Sequence, residues 1–265
     1  MFMNDPVDSR KNTTCNPFAI ESTGHDDGRR QQLRDLHDTW SGVFPTSAWN
    51  ATNSMLFSNR VTLSRALYFN ERYKGIVGIP GMICEFGVLY GGNLSLLINL
   101  RGIYEPYHYL RRIVGFDTFT GFTHDLIDAE LKRGWSAGDY STPEGYEDVL
   151  HQILTAQEAN SPISHLQKFE LVKGDVTNTF DTWLDNNPSA IIAMAIFDMD
   201  VYAPTKHVLD RVLDRIPKGG MLCFDELNFP AFPGETIALR ETLGLTNLRL
   251  RHDPHNPARS WCIIE

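Results

Sequence analysis

Apolar and polar positions along this chain fall into three rhythms. Residues 1–35 are polar, rich in Asn, Asp, Thr and Arg, and predict an arm with little apolar surface of its own. From about Leu36 to Lys74 apolar residues recur at spacings of three and four, as in "ATNSMLFSNRVTLSRALYFNERYKG". That predicts helix, with Gly75 as its stop. Beyond it, short apolar runs alternate with amphipathic stretches. "GMICEFGV", "RRIVGFDTF", "KFELVKGDV", "AIIAMAIFDMD" and "GGMLCFDE" read as buried strands. "GGNLSLLINLRGIY", "YEDVLHQILTAQ", "TFDTWLDNN", "APTKHVLDRVLDRI" and "GETIALRETLG" read as helices, and "NLRLRHD" and "RSWCIIE" as a closing pair of strands. The alternation predicts an α/β domain over residues 36–265, built on a doubly wound, mostly parallel seven-stranded sheet of Rossmann-like type. Helices over 36–75 extend it at the N-terminus, and a polar, aromatic insertion over 120–164 reads as a variable lid.

Ligands in such sheets bind beyond the carboxyl ends of the strands, near the switch point. Acids collect there in this chain: Glu85, Asp117, Asp175, Asp198, Asp200, Asp225 and Glu226. In "EFGVLYGGN" the glycines permit a tight turn and close backbone approach, although the spacing is not GxGxxG. Asp117 ends the second strand, where a carboxylate can accept both hydroxyls of a ribose or cap a helix. With the glycine loop beside it, an adenosine-containing ligand is the better reading. Asp175 can face an adenine amino group or cap the helix after it. Asp198, Asp225 and Glu226 close adjacent strands, which lie roughly 5 Å apart in a parallel sheet. Such uncompensated acids repel one another, and a hard cation relieves the repulsion; oxygen donors without cysteine or paired histidine point to Mg²⁺.

Composition narrows the partners. A formal charge of −9 and the lack of a basic stripe argue against nucleic acid. Cys15, Cys84, Cys223 and Cys262 fit no metal or redox spacing, and three of them lie in strand-like apolar runs as small buried hydrophobes. The start has no apolar signal core, and no run approaches the roughly 20 apolar residues of a membrane span. The expectation is a cytoplasmic protein without a membrane partner. The polar arm reads as swapped onto a second copy in a homo-oligomer, or as disordered.

"EFGVLYGGN", "GFDTFTGF", "FDMDVYAPT" and "FDELNFPAFPGE", in that order, resemble the macrocin O-methyltransferase family over roughly residues 50–264. The resemblance implies S-adenosylmethionine as cofactor and a hydroxyl of a sugar or natural-product glycoside as methyl acceptor. It implies that Glu85, Gly87, Gly91 and Asn93 line the methionine end of the cofactor, with Asp117 and Thr118 at the ribose and Asp175 at adenine. It places Met55 in a segment that folds over the cofactor. Asp198, Asp225 and Glu226 match the metal-ligand positions, with Glu226 where relatives often have aspartate, and Asp200 matches a proposed general base. The implied reaction is in-line attack of a hydroxyl oxygen on the sulfonium methyl. Competing readings are a nicotinamide oxidoreductase on a similar sheet, disfavoured by the missing glycine fingerprint, and a non-catalytic ligand-binding module of the same fold.

Overall fold

The computed structural model describes residues 55–265, together with Gln32 and residues 35–39. It divides into two compact units, Met1–Ser58 and Asn59–Glu265. In the first, residues 35–39 are helical and Met55 opens a short turn whose carbonyl accepts from Ser58 N (3.1 Å). The arm expected over 1–35 lies outside the described residues, apart from Gln32 and Asp35, as does Cys15.

The second unit carries the sheet. Its elements are α1 (Arg60–Ile76), β1 (Met82–Phe86), α2 (Gly92–Tyr104), β2 (Ile113–Asp117), α3 (Asp128–Leu131), α4 (Tyr146–Ala159), β3 (Phe169–Lys173), α5 (Val176–Asn186), β4 (Ile192–Phe197), α6 (Tyr202–Val212), β5 (Met221–Phe224), α7 (Gly234–Thr242), β6 (Arg251–Asp253) and β7 (Asn256–Ile263). The strand order is β3-β2-β1-β4-β5-β7-β6. The first five strands of that order run parallel, and β7 is antiparallel to both its neighbours. The chain therefore starts in the middle, winds out to β3, and returns across β1 to β4. The switch point lies between β1 and β4.

Side chains alternate across the sheet, as strand geometry requires. Cys84, Phe86, Ala195, Phe197, Leu222 and Phe224 face α5, α6 and α7; Ile83, Met194, Ile196, Met221 and Cys223 face α1, α2 and α4. Both faces are covered, so the central strands are apolar throughout. Strand register puts Phe116, Phe86, Phe197 and Phe224 side by side across β2, β1, β4 and β5. Their rings pack at 4.9–5.6 Å between centroids and form an apolar floor just below the strand ends. Cys84, Cys223 and Cys262 are buried free thiols, as their apolar surroundings suggested.

The opposite, amino end of the sheet is fastened by charge. Arg111 is fully buried and pairs with Glu105 (Nε–Oε2, 2.8 Å). It also donates to the carbonyls of Ile76, Ile79 and Gly81, closing the turn between α1 and β1. Local readings needed two adjustments. Helix α1 runs one residue past Gly75, to Ile76. The first closing strand is only Arg251–Asp253, and Asn247 belongs instead to a 3₁₀ turn, Leu245–Asn247. Among the described residues no helix is long and apolar enough to cross a membrane.

Candidate active site

Past the last strand residues the backbone ladder continues and stitches the loops together. Gly174 N donates to Asp117 O, Gly87 N to Phe116 O, Asp198 N to Phe86 O and Asp225 N to Phe197 O, at 2.8–3.1 Å. Gly87 sits where two of these loops are closest. Its φ is +88°, and a Cβ there would lie 1.9 Å from Asp198 O. Only glycine allows the β1 and β4 loops to approach this far. Above the loops lies a cavity of about 440 Å³ that spans all five parallel strand ends.

At the β2 and β3 end the wall carries Asp117, Thr118 and Asp175. Asp117 Oδ2 accepts from Val88 N (2.6 Å) and Leu89 N (2.8 Å), and Oδ1 from Phe119 N (2.6 Å). It is thus a clamp on the glycine loop as well as a wall residue. Thr118 Oγ1 donates to Gly121 O (2.8 Å) and shapes the turn into the segment after β2. Asp175 does cap α5: its Oδ1 accepts from Thr177 N (2.9 Å) and Thr177 Oγ1 (2.7 Å). The cap uses Oδ1 alone, and the side chain still faces the cavity. Neither role of Asp175 excludes the other.

In the middle, Asn93 reaches the wall while Glu85 and Gly91 stand behind it. Glu85 is buried and accepts from Asn93 Nδ2 through Oε1 (2.7 Å), so it acts on the cavity through Asn93. Burial pushes the Glu85 carboxyl up to about 8, against a lowering hydrogen bond from Asn93. Gly91 caps α2 in a left-handed conformation against Leu150. Met55 lies in the first unit, more than half exposed.

The β4 and β5 end is acidic. Carboxylate oxygens of Asp198, Asp200 and Glu226 all lie within 4.8 Å of one another. Asp225 stands beside them but is differently occupied: Arg259 Nε donates to its Oδ1 (2.5 Å), and Arg65 lies 3.8 Å from its Oδ2. Burial raises Asp198 and Glu226 well above the usual carboxylate range, and the neighbouring acids push in the same direction. Burial also brings Asp200 up to about 7, with a hydrogen bond to Glu226 pulling down and Asp225 pushing up. Glu226 Oε2 is buried with no hydrogen-bond partner among the described residues. Close-set oxygens with an orphan among them are a donor set that suits a hard cation.

Asp200 is held in an unusual backbone state. It is the apex of a three-residue turn in which Val201 N donates to Met199 O (2.7 Å), with φ at +65°. The positive φ makes this the rare, strained form of that turn. Glu235, on the first turn of α7, lies beside it. Its fully buried carboxylate accepts from Glu226 N through Oε2 (3.2 Å), and its Oε1 has no hydrogen-bond partner among the described residues.

The segment after β2, residues 120–145, docks on the same two loops. Glu130 is fully buried and accepts from Tyr202 N (2.6 Å) and Ile127 N (2.8 Å), so its carboxylate sits on the N-terminus of α6. Trp135 Nε1 donates to Ala231 O (2.7 Å), and its ring stacks on Phe232 at 4.5 Å. Phe122, Tyr140 and Phe232 thereby form an aromatic wall facing the acids. Burial and the neighbouring acids push the Tyr140 phenol up to about 12, so it faces the site as a neutral hydroxyl.

Arg65, Arg259, Glu235 and Glu130 did not stand out in the sequence. Each has the appearance of an ordinary helix or strand residue; only tertiary placement brings them to the strand ends.

The strand order, the glycine loop after β1, the acid ending β2 and the antiparallel β7 define a Rossmann-like methyltransferase. Among solved structures, the chain is similar to the calicheamicin methyltransferase CalS11, at 37% identity over 97% of this chain and 98% of that one, with a TM-score of 0.84. A second CalS11 structure, of the apo TDP-rhamnose 3'-O-methyltransferase, is 36% identical over 92% and 96% of the two chains, with a TM-score of 0.80. The O-methyltransferase NovP shares the fold at 16% identity over 76% and 79%, with a TM-score of 0.57. No protein-family model and no curated protein sequence matches the chain. The chain belongs to the macrocin-type O-methyltransferase family.

Proposed function

We propose that the protein transfers a methyl group from S-adenosylmethionine to a hydroxyl of a sugar or sugar-bearing natural product, with Mg²⁺ at the acidic end of the site. The carrying observation is one cavity that joins Asp117, at the end of β2, to a buried cluster of carboxylates across the switch point. The relationship to CalS11, a TDP-rhamnose 3'-O-methyltransferase, supports a deoxysugar nucleotide as the acceptor class.

The residues fit both groups. Gly87, Val88, Leu89 and Gly92 of the glycine loop line the cavity, and Asp117 and Asp175 would offer acceptors at the nucleoside end. Oxygen-only donors with an orphaned Glu226 Oε2 fit a hard divalent ion. Asp198 and Glu226 would hold it with Asp200 beside them, whereas Asp225, expected as a third ligand, lies outside this convergent group with Oδ1 committed to Arg259. When bound, the cofactor supplies a methyl already activated by the sulfonium, and the metal supplies a Lewis acid that lowers the hydroxyl's pKa.

The chain's own residues position and deprotonate. Asp200, whose carboxylate lines the cavity beside Asp198 and Glu226, takes the proton as the new C–O bond forms. Its strained turn, closed by the Val201 N–Met199 O bond, sets the carboxylate at the cavity wall. Phe122, Tyr140 and Phe232 pack on the acceptor's apolar face and exclude water.

The test is transfer of radiolabelled methyl from S-adenosylmethionine to thymidine-diphosphate deoxysugars. The expected result is product that disappears with EDTA and returns with Mg²⁺. Turnover indifferent to EDTA would remove the metal from the reaction, and failure to bind the cofactor would overturn the proposed function as a whole.

A further inference from the structure

We infer that Arg65 receives the α-carboxylate of the cofactor's methionine arm. This rests on the reading of the cavity as an S-adenosylmethionine site, and it concerns a residue that neither the sequence motifs nor the acid cluster singled out.

The charge of the cavity poses the problem. Its wall carries six carboxylates: Asp117, Asp175, Asp198, Asp200, Asp225 and Glu226. The methionine arm must bring another carboxylate into that field. Among the described residues that line the cavity, Arg65 is the one cationic side chain. Arg259 is no substitute, because it is buried (4% exposed), lies off the wall and is committed to Asp225.

Arg65 is also oriented and underused. Its Nη1 donates to Asn93 Oδ1 (2.9 Å). Asn93 is buried, and its Nδ2 donates to Glu85 Oε1 (2.7 Å) and, at 3.3 Å, to Asp198 Oδ2. The acids fix which way the amide points, so its oxygen must face Arg65. Glu85, Asn93 and Arg65 thus form a relay that holds the guanidinium at the glycine-loop side of the cavity. A guanidinium has five N–H donors, and this one makes a single hydrogen bond among the described residues. Its charge also acts through space on Glu85, Asp198 and Asp225, but the Asp225 Oδ2 contact is 3.8 Å, too long for a hydrogen bond. Donors therefore remain for a planar, two-oxygen ligand group, the geometry that arginine matches best. Beside it α2 starts without a side-chain cap, and a Cβ at Gly92 would meet nothing within 4 Å, so the space next to Arg65 is open.

The test compares two ligands by calorimetry on the full chain: S-adenosylhomocysteine and its decarboxylated form, which keeps the amine and the nucleoside. Arg65→Met should weaken the first by roughly 10–100-fold, the usual worth of a hydrogen-bonded charge, and leave the second nearly unchanged. Arg65→Lys should recover part of the loss. Undiminished binding of the decarboxylated ligand also shows that the variant is folded. Equal losses for both ligands, or no loss for either, would overturn the assignment while leaving the cofactor reading intact. Wild-type protein that binds neither ligand would overturn both.

Discussion

Asp200 occupies a left-handed backbone state that few side chains tolerate, but aspartate and asparagine are among those that do. Asp200→Asn should therefore fold normally. It should lower methyl transfer by about 10²–10⁴-fold, the usual contribution of a general base, with little change in S-adenosylhomocysteine affinity; kinetics and calorimetry on one preparation check this. Glu85 allows a test that involves no turnover. Its carboxyl rises from an ordinary 4.5 to about 8 on burial, so the folded state holds a proton that the unfolded chain releases. The associated stability is fully present below pH 4.5 and is lost as the pH rises through 8. Thermal stability should thus fall as the pH rises across that window in wild type. Glu85→Gln, which keeps the acceptor for Asn93, should flatten the slope. The slope shrinks rather than vanishes, because Asp198, Glu226 and Glu235 are shifted the same way. At this scale the sequence was readable where acids end strands, since a carboxylate straight after a buried apolar run must cap a helix, pair with a cation or face a ligand. Glu235 and Arg65 sit in amphipathic helices, where charge is expected and carries no signal. Asp225 shows the same limit, because nothing near it in sequence announces Arg259.

The loop between β1 and α2 is the element on which the site depends most. Gly87→Ala would combine a positive φ with a Cβ 1.9 Å from Asp198 O. The backbone conformation alone costs about 1–3 kcal/mol, and relief of the clash must separate the β1 and β4 loops. The expected outcome is a lower denaturant midpoint together with lost cofactor binding, read by urea titration and calorimetry. Normal affinity in this variant would show that the close approach is not needed for binding. The strands around this loop were legible because both faces of the sheet are covered, which leaves unbroken apolar runs. The end of α1 was misread because Gly75 looks like a stop signal. The helix continues one residue further, and the turn after it is closed from a distance by Arg111. The polar and aromatic composition of residues 120–164 marked them as a variable lid. The docking of this segment through Glu130 and Trp135 could not be read, because both partners are backbone groups supplied by distant segments.

Across the whole molecule the two ends of the sheet are specialised. The amino end is closed by the buried Arg111–Glu105 pair, and the carboxyl end keeps its acids close together over a floor of phenylalanine rings. Removing one partner of a buried ion pair costs about 3–5 kcal/mol, so Arg111→Ala should lose about that much stability in chemical denaturation. The folded fraction should still bind S-adenosylhomocysteine with one site per chain, because Arg111 lies far from the strand ends that form the cavity. Fold class was the most legible feature of all, since it depends on rhythm summed over many residues rather than on any one of them. The most direct test of the central claim is calorimetric titration of wild-type protein with S-adenosylhomocysteine. Saturable binding at one site per chain is predicted, with no competition from NAD(H). Absence of any binding heat, or displacement by NAD(H), would contradict it.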